Sequence, residues 1–552
     1  MARLTQTIPR ALWASAEHRA DVGFTFVGDA GPPLALPFAE LASRVRARAH
    51  AFAAMGLARG ERVALILPQG HEFVVAFLGA IAAGAVPVPL HPPMGLGQLG
   101  PPYLAHVAHV VASSRSRFLV TTETIRAELE ALRAFDAAPT LARAFVFGEL
   151  VGDAALYREE DADGDDVAFL QFTSGSTARP KGVVLSHANV AANAAAINDA
   201  LGVTPDDAGV SWLPLFHDMG LIGFVIAALY ARTSVTIMPP MMFLKRPATW
   251  LKTLSGARGT ISFAPSFAYG LATRRIRDAD MEGVDLSSWR IAGCGAEPIS
   301  APTLRAFADR FAPWGFRSTA FVPSYGMAEA TLGVTFARSG RELRVERVDG
   351  VEIVSCGVSP QGHDVRVVSQ ETIDGEGDMA SLPERAIGEV VVRGPSVTSG
   401  YFEDAEKTLA TVRRGWLVTG DLGYVADGEL FLCGRKKDLI IIHGKNYHPQ
   451  DFEWEAAQVD GVREGNVVAF ATTRADLDRD AVVVVFETRP RDAATAIADE
   501  IRRRIHDAFG IAVDDVIAAV GGAIPKTSSG KVQRSAARGL YESGELRRRS
   551  EP

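Results

Sequence analysis

Short apolar segments of two kinds alternate through the first half of this chain, and this alternation constrains its fold more than any other feature. Residues 38–55 carry apolar side chains at helical spacing, whereas residues 62–67 (RVALIL) form a continuous apolar run typical of a buried strand. Further short strands are predicted at 167–172, 234–238 and 259–263, with Gly- and Pro-rich turns between them. Such alternation favours α/β layers built on largely parallel sheets.

The size and the charge distribution of the chain predict more than one domain. Its 552 residues are 47% apolar, which is more than one core accommodates. From residue 434 onward lie 19 of the 57 basic and 19 of the 65 acidic residues, so the first 433 residues carry the whole net charge of −8. We predict a large N-terminal domain of α/β-layered sheets with a β-barrel-like part over 1–433. A hinge at 434–437 and a small mobile α+β domain over 438–552 follow.

Four other stretches carry specific structural expectations. The apolar run 73–90 contains Gly84 and two prolines, which predicts a buried helix, a glycine stop and a core strand rather than a membrane span. Residues 369–386 are acidic and contain glycine, so we expect a solvated loop. Near the C-terminus, residues 481–487 read as a strand and 493–509 as an amphipathic helix.

Composition excludes several classes of function. The net charge of −8 argues against general nucleic-acid binding. Cys294, Cys356 and Cys433 have the spacing of neither a zinc site nor a disulfide framework, and a reducing, cytoplasmic setting is therefore expected. Residues 1–20 lack the apolar run of a signal peptide, and no stable membrane insertion is expected.

The most informative motif is TSGSTARPKG at residues 173–182, directly after a predicted strand. Its glycines let backbone N–H groups turn towards an anion, its hydroxyls add donors, and Lys181 adds a positive charge. A polyphosphate-binding loop needs these properties, although the spacing is not that of a Walker A motif. A flexible Ser/Gly turn explains the composition about as well.

A second motif, SYGMAEAT at residues 324–331, combines an aromatic ring with a carboxylate. The Tyr325–Gly326 pair can place a ring against a nucleobase at close approach, and Glu329 offers a hard oxygen ligand for Mg²⁺. Taken alone, a surface turn with a solvated glutamate is the commoner explanation.

The third signal joins TGD (419–421) to GRKKD (434–438). Asp421 in a turn can accept hydrogen bonds from two ribose hydroxyls, as acidic residues do in dinucleotide-binding folds. Arg435 can hold ribose or phosphate. A hairpin turn followed by a solvated run of charge is the simpler reading of each piece.

Two single residues complete the set. Lys531 ends PKTSSGK (525–531), and an ammonium brought in by a mobile domain can neutralise charge that builds between a carboxylate and an α-phosphate. His217 in FHDMG (216–220) precedes an apolar run and can border an apolar pocket. An exposed tail lysine and a structural histidine are the alternatives.

All five signals occur in this one chain, and together they resemble the adenylate-forming superfamily of acyl-CoA synthetases, luciferases and peptide-synthetase adenylation domains. The resemblance runs from about residue 36 to 538. Within the superfamily the chain is most similar to the fatty acyl-AMP ligases, through PVPLHPP (87–93), SWLPLFHDMGLIG (211–223), APSFAYGLATRRI (264–276), GAEPIS (295–300) and GRKKDLIIIHGKNYHPQDFE (434–453).

The resemblance implies ATP and Mg²⁺ as cofactors and a role for each motif. The residues expected to cradle the β- and γ-phosphates are Thr173, Ser174, Gly175, Ser176, Thr177 and Lys181. The residues expected to form the adenine pocket, with their neighbours in the nucleotide site, are Ala296, Glu297 and Tyr325, then Gly295, Pro298, Ser324, Gly326, Met327 and Ala328.

The remaining roles concern metal, ribose and catalysis. Glu329 would bind Mg²⁺, and Asp421 would bind the ribose with Arg435 beside it. Lys437 would be the hinge. The residues expected to act in catalysis are Lys531, at the reacting carboxylate and α-phosphate, His217, at the acyl entrance, and Glu329.

The implied reaction is activation of a carboxylic acid, expected to be a fatty acid, as its acyl-adenylate. Pyrophosphate is released, and a phosphopantetheine thiol, expected on an acyl carrier protein, then takes the acyl group. An acyl-CoA synthetase using free CoA shares the same site. Fatty acyl-AMP ligases usually carry an insertion after the YG-x-AEAT motif that is associated with refusing CoA, whereas only residues 332–353 separate the motif from VSCG here. A non-catalytic nucleotide-binding module is a further alternative, against which the retention of Lys531 and Glu329 argues.

Overall fold

The structure is a computed structural model that describes residues 7–28, 31–93, 100–131, 139–160, 162–173, 180–348, 351–442, 445–474, 480–488, 494–527 and 531–549. Within these ranges the helices are α1 (Ile8–His18), α2 (Phe38–Ala54), α3 (His71–Ala82), α4 (Pro101–Ser113), α5 (Glu123–Ala131), α6 (His187–Ala200), α7 (Asp218–Gly220), α8 (Ala227–Ala231), α9 (Pro240–Lys245), α10 (Ala248–Gly256), α11 (Ser266–Arg275), α12 (Ala301–Phe311), α13 (Gln370–Asp374), α14 (Ala405–Thr411), α15 (Pro449–Ala457), α16 (Ala494–Phe509) and α17 (Arg534–Glu542).

The strands of the same ranges are β1 (Gly23–Phe26), β2 (Leu34–Pro37), β3 (Arg62–Leu65), β4 (Val86–Pro89), β5 (Ser116–Thr121), β6 (Arg143–Val146), β7 (Val167–Thr173), β8 (Lys181–Ser186), β9 (Ala208–Ser211), β10 (Ser234–Ile237), β11 (Ile261–Ala264), β12 (Ile291–Cys294), β13 (Phe321–Gly326), β14 (Gly333–Phe336), β15 (Val345–Val348), β16 (Val351–Val354), β17 (Asp364–Val368), β18 (Gly388–Arg393), β19 (Val412–Arg413), β20 (Trp416–Ala426), β21 (Glu429–Arg435), β22 (Ile440–Ile442), β23 (Lys445–Tyr447), β24 (Val462–Thr473), β25 (Asp480–Thr488) and β26 (Asp515–Ala519). We call elements α1–β21 the N-terminal unit and elements β22–α17 the C-terminal unit.

The elements predicted from apolar patterning are confirmed. Helix α2 and strands β3, β7, β10 and β11 lie where their patterns predict them. The apolar run 73–90 becomes the buried helix α3, a turn at Gly84 with a φ of +71°, and the buried strand β4. A positive φ is readily adopted by glycine, so Gly84 ends the helix and redirects the chain into the sheet.

The largest sheet has the strand order β14–β13–β12–β11–β9–β10–β1–β2. Strands β13, β12, β11, β9, β10 and β1 run parallel, and antiparallel strands close both edges. A second parallel sheet has the order β4–β3–β5–β6. The predicted α/β fold with largely parallel sheets is therefore confirmed.

An aromatic core supports the strands that lead into the site. Trp250, Tyr269, Trp289 and Phe307 are fully buried and pack with centroid separations from 5.0 to 6.4 Å. Tyr269 on α11 donates a hydrogen bond to the carbonyl of Gly293 on β12 over 2.8 Å. The start of α11 and the end of β12 are thereby held in register.

A smaller antiparallel sheet follows, with the order β17–β18–β20–β19 and β21 paired to β20. It lies within the domain for which a barrel-like part is predicted, and the strand pairing of the described residues forms a sheet with no closing pair. The prediction that 369–386 is a solvated loop is wrong in part, because α13 forms there. The Ser369 hydroxyl accepts from the Thr372 amide at the helix start, and Ile373 and Met379 are buried. The N-cap hydrogen bond and the burial of these two apolar side chains stabilise the segment in spite of its acidic composition.

The C-terminal unit has its own sheet, β24–β25–β26, and its own apolar clusters, whose buried members all come after residue 439. The predicted strand is β25 and the predicted helix is α16. Ile497, Ile501 and Ile505 recur every four residues on the buried face of α16. No helix of the described residues is both long and apolar enough to cross a lipid bilayer.

Candidate active site

A cleft of about 3300 Å³ lies at the carboxyl ends of β9, β11, β12 and β13 and is also lined by the C-terminal unit. Parallel strands end at one edge of a sheet, and ligands of open α/β sheets bind at that edge. The predicted site residues that lie within the described ranges all line this cleft: Thr173, Lys181, His217, Gly295, Ala296, Glu297, Pro298, Ser324, Tyr325, Gly326, Met327, Ala328, Glu329, Asp421, Arg435, Lys437 and Lys531.

The predicted phosphate loop connects the antiparallel strands β7 and β8. Thr173 and Lys181 face each other at its base. Ser174, Gly175, Ser176 and Thr177 lie outside the described residues. The Lys181 ammonium lies 2.5 Å from a carboxylate oxygen of Asp404, at the start of α14. This contact, which no local pattern predicts, holds the pKa of Asp404 below its usual value.

Two further motifs meet beside the loop. Gly295 follows β12, and a Cβ there would come within 2.7 Å of the Ser324 carbonyl, so only glycine allows this approach. Ala296 takes a left-handed backbone with a φ of +68°. The Glu297 carboxylate then accepts the Phe267 amide over 2.7 Å. The loop after β12 is thus fixed between β13 and the start of α11.

A buried network joins the aromatic and acidic residues predicted for adenosine. The Tyr325 hydroxyl donates to Oδ2 of Asp421 over 2.6 Å, and the Arg435 Nε donates to Oδ1 over 2.9 Å. Asp421 and Arg435 are register partners on β20 and β21. Burial, then the Asp421 carboxylate, raises the pKa of Tyr325, and Asp421 raises the pKa of Arg435. Each carboxylate oxygen keeps a lone pair for a ligand hydroxyl.

Glu329 lies in a short turn after β13. Its Oε1 accepts from the Tyr401 hydroxyl over 2.7 Å, and its backbone carbonyl accepts from the Thr398 amide over 2.8 Å. Among the described residues the other carboxylate oxygen takes part in no hydrogen bond. The described residues contain no group of three or more His, Cys, Asp or Glu side chains arranged as metal ligands. A divalent ion at Glu329 would therefore need oxygens from its substrate, as Mg²⁺ commonly does.

Lys531 reaches the cleft from the last loop of the C-terminal unit. The Thr527 amide donates to the Lys531 carbonyl over 2.7 Å, and the Lys531 amide donates back to the Thr527 hydroxyl over 3.0 Å. Burial lowers the pKa of the Lys531 ammonium, and the carboxylates of Asp218, Glu297 and Asp421 oppose this effect. The ammonium thus lies within electrostatic reach of three separate parts of the cleft wall.

His217 caps the helical run that begins with α7. Its Nδ1 lies 2.6 Å from an oxygen of Asp218. Burial alone would raise the pKa of Asp218, but His217 and Lys531 leave it below its usual value. The Gln171 amide donates to the Phe216 carbonyl over 2.9 Å and so ties this loop to β7. Gln171 and Asp218 were not predicted as site residues.

An apolar branch of the cleft runs along the sheet between α6 and the helical run 218–231. The apolar side chains that line it are Ile197, Leu201, Phe224, Val235, Ile261 and Phe263. Gly209 lies among them, where a Cβ would come within 3.1 Å of Val235. The cleft therefore has an apolar part beside the residues predicted for the nucleotide.

The predicted hinge lies between two anchored neighbours. The Lys436 ammonium donates to Glu389 of β18 over 2.9 Å. On the other side, Asp438 accepts from Arg534 of α17 over 2.8 Å. Lys437 therefore stands between a residue bonded to the N-terminal unit and one bonded to the C-terminal unit. Burial lowers the pKa of Lys437.

Comparison with known proteins places the chain in a family. The AMP-binding enzyme family matches residues 16–402. A Caulobacter vibrioides protein named as an acyl-CoA synthetase is 36% identical, covering 92% of this chain and 91% of its own. The medium-chain-fatty-acid–[acyl-carrier-protein] ligase JamA of Moorena producens is 34% identical, covering 88% of this chain and 87% of its own.

A solved structure agrees with these matches. One of the fatty acyl-adenylate ligases of E. coli and L. pneumophila superposes with a TM-score of 0.88 at 34% identity and covers 98% of both chains. The resemblance to adenylate-forming enzymes drawn from the motifs is confirmed. The chain belongs to the AMP-binding enzyme family and is an adenylate-forming ligase.

Proposed function

We propose that the enzyme activates a fatty acid with Mg·ATP as its acyl-adenylate and passes the acyl group to the phosphopantetheine thiol of an acyl carrier protein. The position of Lys531 carries this proposal. Lys531 lines the same cleft as Asp218, Glu297 and Asp421, which border the proposed acyl entrance, adenine pocket and ribose site. A cation at this junction faces the point where a carboxylate and an α-phosphate would meet.

The nucleotide binds through residues of the N-terminal unit. The adenine lies against Tyr325 and the loop 295–298, and the ribose hydroxyls donate to Asp421. Lys181, with the loop that it ends, takes the β- and γ-phosphates. Tyr325 and Arg435 already orient the Asp421 carboxylate, so ribose binding needs little reorganisation.

The described residues fit a Mg²⁺ ion at Glu329. One oxygen of this carboxylate is held by Tyr401, and the other makes no hydrogen bond among the described residues. Glu329 shares the cleft with Lys181, where the phosphates would lie. When bound, the ion neutralises negative charge on the triphosphate.

In the first step an oxygen of the ionised acid attacks the α-phosphorus of ATP. A new P–O bond forms, the bond from the α-phosphorus to the bridging oxygen breaks, and pyrophosphate leaves with the electron pair. Lys531 neutralises the charge shared by the carboxylate and the α-phosphate, and the apolar branch holds the acyl chain. No covalent bond to the enzyme is formed.

In the second step the carrier thiol, as thiolate, attacks the carbonyl carbon of the acyl-adenylate. The bond to the AMP oxygen breaks, AMP leaves, and the thiol proton passes to solvent. Between the steps the C-terminal unit turns about Lys437. Because Lys436 and Asp438 are each bonded to one unit, the backbone change concentrates at the residue between them.

Acyl-CoA formation is the second candidate. The segment after the Glu329 turn holds β14, a connection over 337–344 and the strands β15 and β16, and it is too short to contain a long insertion as well. One relative is named as an acyl-CoA synthetase and another as a carrier-protein ligase. We propose the carrier protein as the preferred acceptor, with at best weak acyl-CoA formation.

The test combines two assays on one preparation. Pyrophosphate release and mass spectrometry of acyl-AMP are measured with saturated acids of increasing chain length. Preformed acyl-AMP is then offered to holo carrier protein, to the same carrier without phosphopantetheine, and to CoA. Acyl-AMP formation followed by loading of the holo carrier alone is expected. Absence of acyl-AMP with every acid contradicts the adenylation step, and efficient acyl-CoA formation at ordinary CoA concentration favours the second candidate.

A further inference from the structure

One short segment of the N-terminal unit contacts both groups assigned to the triphosphate. We call residues 398–404 (TSGYFED) the clamp segment. It lies between β18 and α14, more than two hundred residues after Lys181 and about seventy after Glu329. None of the sequence motifs includes it.

The backbone of the clamp segment is attached to the phosphate loop and to the Glu329 turn. The Val184 amide donates to the Gly400 carbonyl over 3.0 Å, and the Phe402 amide donates to the Gly182 carbonyl over 2.8 Å. The Thr398 amide donates to the Glu329 carbonyl over 2.8 Å. The segment thus extends the β7–β8 hairpin and closes the turn that carries the carboxylate.

The side chains of the clamp segment reach the same two places. Tyr401 donates its hydroxyl to Glu329 Oε1 over 2.7 Å. The two carboxylate oxygens of Asp404 have different partners. Oδ2 lies 2.5 Å from the Lys181 ammonium, and Oδ1 accepts a hydrogen bond from the Lys407 amide at the start of α14 over 2.9 Å. Tyr401 is buried and lines the cleft, and Asp404 is partly buried.

The clamp segment is itself rigidly held. The Tyr401 amide donates to the Thr408 hydroxyl over 2.9 Å, and that hydroxyl donates to the Asp404 carbonyl over 2.8 Å. Gly400 has a φ of +141°, and a Cβ there would lie 2.3 Å from Thr408. A rigid support is what a positioning residue needs, because it must hold another group to within a fraction of an ångström.

We infer that Tyr401 and Asp404 are positioning residues for the triphosphate of Mg·ATP. Tyr401 fixes the orientation of the Glu329 carboxylate so that its second oxygen faces the metal. Asp404 holds the Lys181 ammonium at the base of the phosphate loop until the phosphates arrive. The inference rests on the proposed function for the assignment of Glu329 and Lys181.

This arrangement predicts an effect that depends on the ligand. Outer partners of metal-binding carboxylates orient them, and their loss commonly weakens the metal site. AMP has no β- or γ-phosphate and does not need the ion. A defect in the clamp segment should therefore weaken binding of Mg·ATP and leave AMP binding unchanged, whereas a general loss of structure would weaken both.

The first experiment uses Tyr401→Phe, which removes only the hydroxyl. Calorimetric binding of ATP at increasing Mg²⁺, and of AMP, is measured in the full chain without acid. We expect Mg·ATP to bind about tenfold more weakly at a given Mg²⁺ concentration and AMP to bind as in the wild type. Tyr541→Phe is the matched control, since Tyr541 also donates to a carboxylate, that of Asp515, and neither residue lines the cleft.

The second experiment uses Asp404→Asn, which keeps the helix cap but removes the negative charge beside Lys181. Pyrophosphate release should slow about tenfold while AMP affinity stays unchanged. Asp153→Asn is the matched control, because Asp153 also accepts an amide hydrogen bond at a helical start.

The outcomes separate this inference from the proposed function. If wild-type enzyme forms acyl-AMP and Tyr401→Phe shows the Mg²⁺ dependence of the wild type, the role of Tyr401 is refuted and the proposed function stands. An Asp404→Asn variant with unchanged turnover refutes the role of Asp404. If the wild type forms no acyl-AMP, the calorimetric arm still decides whether Tyr401 supports Mg·ATP binding.

Discussion

The two sides of the cleft hold their functional groups in different ways. On the N-terminal side, Asp421 is bonded by Tyr325 and Arg435, and Glu329 is bonded by Tyr401. On the C-terminal side, the Lys531 backbone is tied to Thr527, but its ammonium makes no hydrogen bond among the described residues. In the function that we propose, the first arrangement is preorganised to bind the nucleotide. The second leaves the charge of Lys531 available to groups that develop charge during the reaction.

We therefore expect substitutions on the two sides to have different effects. Loss of a preorganised contact weakens binding of the ground state, whereas loss of a charge used at the transition state lowers turnover. The following changes test that contrast, beginning with the largest effect that we expect.

Lys531→Ala should slow acyl-AMP formation by about a thousandfold, because it removes the charge that faces the reacting carboxylate and α-phosphate. The Kd of ATP should change by less than about threefold. Single-turnover pyrophosphate release and calorimetry measure the two quantities. If ATP affinity fell by as large a factor as the rate, Lys531 would be a ground-state binding residue, and the proposed difference between the two sides of the cleft would be wrong.

Lys437→Pro should separate the two half-reactions. Proline is accepted in the first turn of a helix, so the orientation seen here, with Lys531 over the cleft, should persist. Acyl-AMP formation should be kept within about tenfold, and transfer of preformed acyl-AMP to holo carrier protein should fall about a hundredfold. Lys437→Ala distinguishes loss of backbone freedom from loss of the side chain. Equal loss in both half-reactions would show that the bend lies elsewhere.

Asp421→Asn tests the preorganised side. The amide keeps the shape but gives weaker hydrogen bonds to ribose hydroxyls than a carboxylate does. ATP and AMP should each bind roughly tenfold more weakly, with kcat nearly unchanged. Asp427→Asn is a suitable control, because Asp427 pairs with exposed Arg385 away from the ribose site. A large fall in kcat at saturating ATP would argue against a ground-state role.

The smallest expected effect is on pH dependence. Burial lowers the pKa of Lys531, so its proton is lost at a lower pH than the ~10.4 of an ordinary lysine. The adenylation rate should therefore fall as pH rises through this lowered pKa. The arginine of Lys531→Arg stays charged over the whole pH range. The fall in adenylation rate at alkaline pH should therefore shift to higher pH or disappear, even though the rate of this variant is lower. If the rate of Lys531→Arg fell at the same alkaline pH as that of the wild type, the titrating group would be a residue other than Lys531.

The sequence allowed much of the local structure to be predicted and less of the site. Helices such as α2 and α16 have repeating apolar faces, so they could be located from spacing alone. Helix α13 could not, because its cap and the burial of Ile373 prevail over an acidic composition. In the site, the motif residues could be named because several functional residue types lie close together in the chain.

Contacts between distant segments could not be predicted. Tyr401, Asp404 and Gln171 lie in no motif, and their partners are far along the chain. Asp218 lies within FHDMG, but its contact with His217 depends on how that loop turns. Even where both partners were named, as for Tyr325 and Asp421, nothing in the sequence predicts the hydrogen bond between them. It depends on where the end of β13 meets the middle of β20.

The α/β class, the strand and helix periodicities and the identity of the motif residues could be predicted, because they depend on local spacing and on side-chain chemistry. Three features followed only from the folded arrangement: Lys531 lines the cleft, Asp421 is bonded by two partners, and one segment contacts both Lys181 and Glu329. A hydrogen bond forms or is lost over a few tenths of an ångström. Placement on that scale results from the packing of whole sheets and helices, to which every buried residue contributes.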